Sequence, residues 1–338
     1  MRRLLPPLAL VLIAPLVAEL LAGSTPLAQP VVLGTLLAVY LPLYGAGALL
    51  IRELVVRSGR GWPSVLLLGV AYGLVEEGFA SQSLFNPVLY NAADWGVRLL
   101  GVNGVFTESV LLVHAIWSAA VPIALVNVLF PSRRSTPYLG RVGLAVTAAF
   151  YLLGVAMLVF VARTYFSAGY VAPPALPLIA LLAAAILGVV ALRLVPRSRP
   201  LTVDPRPAPH PVVVFLLVAG CTFAWQLTQF LWAIAPAFGE WPLSATPLVA
   251  AIAFGGVVGW LLSRWSRSAG WGDRHLLAAA GAAIVAHTVI GVLVAPEQPD
   301  RIALVALGIA VAAALAWLGR GVATRSRQSA MTDVTVTP

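Results

Sequence analysis

Apolar stretches of about twenty residues alternate with short polar intervals along the whole chain, far longer than the half-buried pattern of a strand or a surface helix. About 20 helical residues, rising ~1.5 Å each, cross a hydrocarbon layer of ~30 Å. Ten stretches suit that length: residues 4–21, 31–51, 63–79, 105–130, 142–161, 174–194, 212–234, 247–262, 275–294 and 302–318. The pattern predicts an all-α fold, a polytopic transmembrane helical bundle of about ten spans. No interval is long enough for a separate globular domain. The chain divides into a six-span region (1–195), a linker rich in Pro and Arg (196–211), a four-span region (212–319) and a disordered tail (320–338). Linker and tail read as irregular cytoplasmic segments. The longest outer loop, about 80–104, carries Trp95 and several Asn and suits an interfacial cap.

Composition agrees with a lipid environment: 60% of the 338 residues are hydrophobic and 10% are charged, against about 25% charged in a soluble domain. Mean hydropathy is +0.95. The net charge of +9 does not point to nucleic acid, because the basic residues are all Arg and sit in short clusters between spans. Cytoplasmic loops retain Arg. With the amino terminus inside, the inner segments hold Arg2, Arg3, Arg52, Arg57, Arg60, Arg133, Arg134, Arg141, Arg193, Arg197, Arg199, Arg206, Arg264, Arg267, Arg274, Arg320, Arg325 and Arg327. Only Arg98, Arg163 and Arg301 fall outside, so ten spans and two cytoplasmic termini are expected. Arg2 and Arg3 before an apolar core also fit a signal peptide, but the first stretch is read as a retained span. The single cysteine, Cys221, excludes an intramolecular disulfide and a Cys-based metal cluster. Lys is absent while Ala, Arg, Gly and Pro abound, which fits a GC-rich prokaryote and its cytoplasmic (plasma) membrane.

The informative residues are ionisable groups inside spans, where a charge costs at least ~2.5 kcal/mol. They are Glu19, Glu76, Glu77, Glu108, His114 and His287, joined by Gln226 and Gln229. Counted from the outer span ends at ~1.5 Å per residue, all lie in one leaflet. Gly69, Gly73 and Glu77 recur every four residues, a stripe that permits close helix contact. His287 lies between Ala283 and Gly291 at the same spacing, and Thr222, Gln226 and Gln229 share a stripe. A buried polar chamber facing outward is therefore predicted. Glu53 beside Arg57, His210 and His275 read as solvated surface.

The stretches "APLVAELLAGSTP", "YGAGALLIREL", "GWPSVLLLGVAYGLVEEGFASQSLFNP" and "LLVHAIWSAAVPIALVNVLFP" resemble a group of prokaryotic multi-pass membrane proteins without an assigned function. That resemblance covers about residues 13–134. Paired glutamates followed by single histidines on two later spans also resemble, more distantly, the CAAX-type (CPBP) intramembrane peptidases. There a glutamate activates water near two histidines and an asparagine. That resemblance would match Glu76 and Glu77 to the paired glutamates, and His114 and His287 to the histidines. The chain departs from it at Ser81, Val110 and Gly291, where the family pattern has Arg, Phe and Asn.

Three function classes suit these groups. In a proton-coupled transporter of a small molecule, Glu76, Glu77, His114 and His287 form a relay, while Gln226, Gln229 and Glu19 contact substrate. In a metal-dependent hydrolase acting on a peptide or small molecule, Glu76 or Glu77 is the general base, and Glu77, His114 and His287 are candidate ligands for zinc. In a structural or partner-binding protein the chamber is inert.

Overall fold

The computed structural model describes residues 3–89, 96, 98–166, 169–198, 203–295 and 297–336. Ten apolar helices follow one another among these: α1 (Leu5–Leu20), α2 (Pro30–Arg57), α3 (Trp62–Ala80), α4 (Gly104–Leu129), α5 (Arg141–Phe166), α6 (Ala175–Leu194), α7 (Pro211–Thr228), α8 (Leu243–Trp265), α9 (Asp273–Val294) and α10 (Gln298–Val336). Nine are long and apolar enough to cross a membrane, and α1 is apolar but shorter. Each falls on one of the ten predicted stretches, because a backbone in lipid must satisfy its own hydrogen bonds within the segment. Starts follow local chemistry. Proline opens α2, α3 and α7 in the first turn, where no amide donor is needed. Asn103 Oδ1 accepts from Phe106 N at 2.8 Å and caps α4.

Burial sorts the helices into centre and periphery. In α3, α4 and α9, 56%, 61% and 61% of the apolar window is buried, against 11% in α5 and 6% in α10. Along α6, Leu178, Ile179, Leu182 and Ile186 are exposed, a face suited to acyl chains. The interior holds two large apolar clusters. One joins α1, α4, α7, α8, α9 and α10 around Trp117, Trp225 and Ile284. The other joins α1 to α6 around Leu43, Tyr72 and Ile123. Helix α4 contributes to both and stands between them.

Close approach at the centre depends on glycine. A Cβ on Gly69 would lie 2.6 Å from Ala115 Cα, and one on Gly73 would lie 3.2 Å from His114 Cβ. The Gly69/Gly73/Glu77 stripe therefore lets α3 seat on α4, as the four-residue spacing predicts. Gly291 on α9 similarly meets the backbone of Ala22, at 2.8 Å.

Several details differ from the sequence-based expectation. Helix α7 stops at Thr228, six residues early, and a short helix Leu231–Ile234 follows. Its last turn tightens as Gln229 N bonds Gln226 O, while Thr228 Oγ1 takes the Trp225 carbonyl at 2.6 Å. In the linker, β3 (Asp204–Pro207) pairs in parallel with β4 (Ser268–Ala269). Prolines fit such an edge, where not every amide must donate. Residues 199–202, Trp95 and Asn91 lie outside the described residues. At the end of the loop between α3 and α4, β1 (Arg98–Leu99) pairs with β2 (Val102–Asn103). Helix α10 runs on to Val336 where an irregular tail is expected, as no proline interrupts it before Pro338.

Two residues read as solvated are instead buried. Glu53 is 0% exposed; it pairs with Arg52 at 2.8 Å and Arg57 at 3.3 Å and accepts from Tyr138 N and Leu139 N. Arg52 extends the latch to the carbonyls of Arg133, Arg134 and Thr136. His275 is buried, its Nε2–H donating to Pro209 O at 3.0 Å, and it is stacked on Trp271. In both cases the loop packed over the helix end covers a side chain that the helix alone would leave in water. His210 is exposed as expected.

Candidate functional site

Glu19, Glu76, Glu77 and His114 meet with the Tyr44 hydroxyl where the first four helices depart from α geometry. Glu19 lies in the π-helical segment Leu16–Leu20, Tyr44 in Leu41–Gly45, Glu76 and Glu77 in Leu74–Ala80, and His114 opens His114–Ala120. A π turn closes i→i+5 bonds instead of i→i+4, and such segments gather at functional sites. In α3 the widened turn directs both adjacent glutamates inward.

His114 lies between the two carboxylates. Its Nε2 is 3.1 Å from Glu77 Oε1, and its Nδ1 is 3.7 Å from Glu76 Oε2 and 3.0 Å from Ser118 Oγ. The other Glu77 oxygen accepts from the hydroxyls of Ser81 and Ser83. Tyr44 bridges outward: its hydroxyl bonds Glu76 Oε1 and also Glu19 Oε1, the latter at 2.5 Å. Glu19 then meets Ser24 Oγ at 3.4 Å. The groups line up as Ser83, Glu77, His114, Glu76, Tyr44, Glu19, Ser24, from the loop after α3 to the loop after α1, hydrogen-bonded at every step except between His114 and Glu76, which face each other at 3.7 Å. The rings of Tyr44 and Tyr72 wall His114, with centroids 6.1 and 5.5 Å away.

Burial is nearly complete. Glu76, His114 and Tyr44 are each 3% exposed, and Glu76 Oε2 has no hydrogen-bond partner. Among the described residues no arginine pairs with Glu19, Glu76 or Glu77. Three carboxylates therefore share one histidine in a low-dielectric setting. Ligating atoms of Glu76, Glu77 and His114 all lie within 4.8 Å of one another, so these three could hold a metal ion.

The remaining predicted site residues form a second group on the far side of α4. His287 Nδ1 is 2.9 Å from Gln226 Nε2, and Gln229 Nε2 donates to Glu108 Oε2 at 3.2 Å. His287 does not belong to the metal-competent group. Glu19 does adjoin that group, through Tyr44, rather than standing with the glutamines. Sequence reasoning missed Tyr44, Ser83, Trp117 and Trp225. A tyrosine in mid-span one turn after Tyr40 was the available signal for the first. The π segments left no signature in a single sequence.

No curated protein and no solved structure matches this chain. Nothing found supports the link to CAAX-type peptidases, and the position of His287 apart from Glu77 and His114 gives that pattern no second histidine. A family model described as "Uncharacterized membrane protein family" matches residues 8–332. With nearly its whole length matched and nine membrane-length helices among its described residues, the chain belongs to that uncharacterized family of multi-pass membrane proteins.

Proposed function

We propose that this protein is a proton-coupled carrier of a small molecule in the prokaryotic cytoplasmic membrane, with both termini inside and the Glu/His cluster near the outer surface. The observation that carries this reading is the single Tyr44 hydroxyl placed against two carboxylates. A hydroxyl has one proton, and an ionised carboxylate only accepts. Both contacts are satisfied together only when Glu19 or Glu76 carries a proton. Excess carboxylate around one histidine asks for the same thing, since uncompensated buried charge costs several kcal/mol per ion. The cluster is thus suited to taking up and releasing protons along its row of side chains, with Glu77 and His114 as one exchanging set and Glu76, Tyr44 and Glu19 as the other.

Proteoliposomes supplied with a pool of polar metabolites test this. Under an imposed proton gradient, mass spectrometry should find at least one compound accumulated by the wild-type chain and not by Glu77→Gln. Accumulation indifferent to both the gradient and the substitution would overturn the reading.

One observation favours a second reading, a metal-dependent hydrolase: the three ligating atoms within 4.8 Å and the bare Glu76 Oε2 beside them. Two carboxylates and an imidazole suit zinc, which would supply a Lewis acid and lower the pKa of bound water. Ligand bonds of ~2.0–2.2 Å require the groups to close by about an ångström. Metal analysis decides: near-stoichiometric zinc lost in His114→Ala supports the hydrolase, and metal-free active protein excludes it.

A further inference from the structure

The second polar group closes into a ring that the proton row does not use. Trp225 Nε1 donates to Glu108 Oε1 at 2.9 Å. The Trp225 indole lies parallel to Trp117 within 12°, centroids 6.2 Å apart, and Trp117 stacks on His287 at 4.5 Å. His287 meets Gln226, Gln229 follows Gln226 by one turn, and Gln229 returns to Glu108. Six side chains from α4, α7 and α9 thus form one circuit.

Three atoms of that circuit are buried without a partner: Gln226 Oε1, Gln229 Oε1 and His287 Nε2. Their residues are 6%, 3% and 6% exposed. A buried polar atom left bare costs about 1–3 kcal/mol, and native interiors hold few of them. Three in one ring indicate a polar guest. Its character follows from what the ring presents. Glu108 only accepts, so the Gln229 amide must turn its NH₂ to the carboxylate, which leaves the carbonyl oxygen as the free acceptor. Among the described residues no cation pairs with Glu108. Trp117 is covered by His287 and lies parallel to Trp225, and an indole face attracts positive charge where it is not so covered. His287, accepting from the Gln226 amide at Nδ1, carries its proton on Nε2, so the ring offers one donor beside its acceptors. A carboxylate and two amide oxygens favour a donor-rich cation, and the His287 N–H favours an aromatic face on the body that carries it.

We propose that Glu108, Trp117, Trp225, Gln226, Gln229 and His287 form a binding site for a small organic ammonium ion, a protonated amine carried on an apolar or aromatic body. Glu108, partly exposed near the start of α4, marks the entrance, and His287 lies about 10 Å inward from the end of α9 at ~1.5 Å per residue. The site is tied to the proton row through one element. His114 and Trp117 occupy the same π-helical segment, His114 facing α3 and Trp117 donating to Ala283 O on α9 at 3.0 Å. Calling the ammonium a transported substrate rests on the carrier reading; binding does not.

Calorimetry on detergent-solubilised wild-type protein, with empty micelles subtracted, tests the site without any gradient. Benzylammonium should bind saturably, while benzyl alcohol and benzoate, matched in shape, should bind at least tenfold more weakly. Glu108→Gln and Gln229→Leu should each weaken benzylammonium at least tenfold, and Glu77→Gln should change it less than twofold. No saturable binding, which leaves ordered water as the only guest, overturns the proposal; so does equal affinity for benzyl alcohol, or Glu108→Gln protein that melts as wild type and binds unchanged. If the variants fail to fold, the three-ligand comparison on the wild-type chain still decides. Binding without gradient-driven uptake would sink the carrier reading and leave this site intact.

Discussion

At the scale of single residues, the chemistry concentrates in groups whose partners leave little freedom. Tyr44 is the link between Glu76 and Glu19, and Tyr44→Phe removes only the oxygen. Gradient-driven accumulation in vesicles should fall at least tenfold, since the row is cut in two. Unfolding in detergent should show a loss of about 1–3 kcal/mol, the usual cost of leaving a buried acceptor bare. Glu53 invites a different substitution. It is fully buried against Arg52 and the amides of Tyr138 and Leu139. Glu53→Ala leaves the Arg52 guanidinium uncompensated and should destabilise by about 3–5 kcal/mol, seen as a lower melting temperature with proton coupling intact in whatever protein folds. Glu19, Glu76, Glu77, His114 and His287 were visible in the sequence because charge inside a span is rare. That the histidines part company was not visible. His114 and His287 lie at similar depths, and the sequence holds no record of which face of α4 meets α3 and which meets α9.

At the scale of elements, the site is assembled by helices that can touch. Gly69 and Gly73 let α3 approach α4 until Glu77 meets His114. Gly69→Leu drives a side chain into Ala115 and should separate the pair; a loss of about 1–3 kcal/mol, as for overpacked cores, is expected from thermal melts. Gly34 and Gly188, where an added Cβ meets nothing within 4 Å, serve as controls that should stay near wild type when changed to alanine. The glycine stripe was legible because its four-residue spacing is a packing rule. The π segments were not. Four of them carry Glu19, Tyr44, Glu76, Glu77 and His114, three others at Ala162–Phe166, Val190–Leu194 and Ala251–Gly255 carry none of these groups, and no local run of residues marks them out.

At the scale of the whole molecule, ten helices and their order were readable from hydrophobicity alone, because lipid admits so few other solutions. The early end of α7, the β3–β4 pair and the long α10 were not, since each depends on contacts or on water beyond the apolar stretches. The orientation proposed from the arginine distribution is open to direct labelling. In a Cys221→Ala background, a membrane-impermeant maleimide applied to intact cells should modify Ser24→Cys and spare Ser58→Cys. The reverse pattern would invert the bundle and place the Glu/His cluster at the inner surface.

The central claim is that Glu19, Glu76, Glu77 and His114, joined through Tyr44, hold protons in common. Infrared difference spectra recorded during a pH titration of the purified protein read this directly. The account predicts a buried carboxylic acid band that disappears in Glu76→Gln and is displaced in Tyr44→Phe and Glu77→Gln. A spectrum without such a band, or one that none of the three substitutions alters, would contradict it.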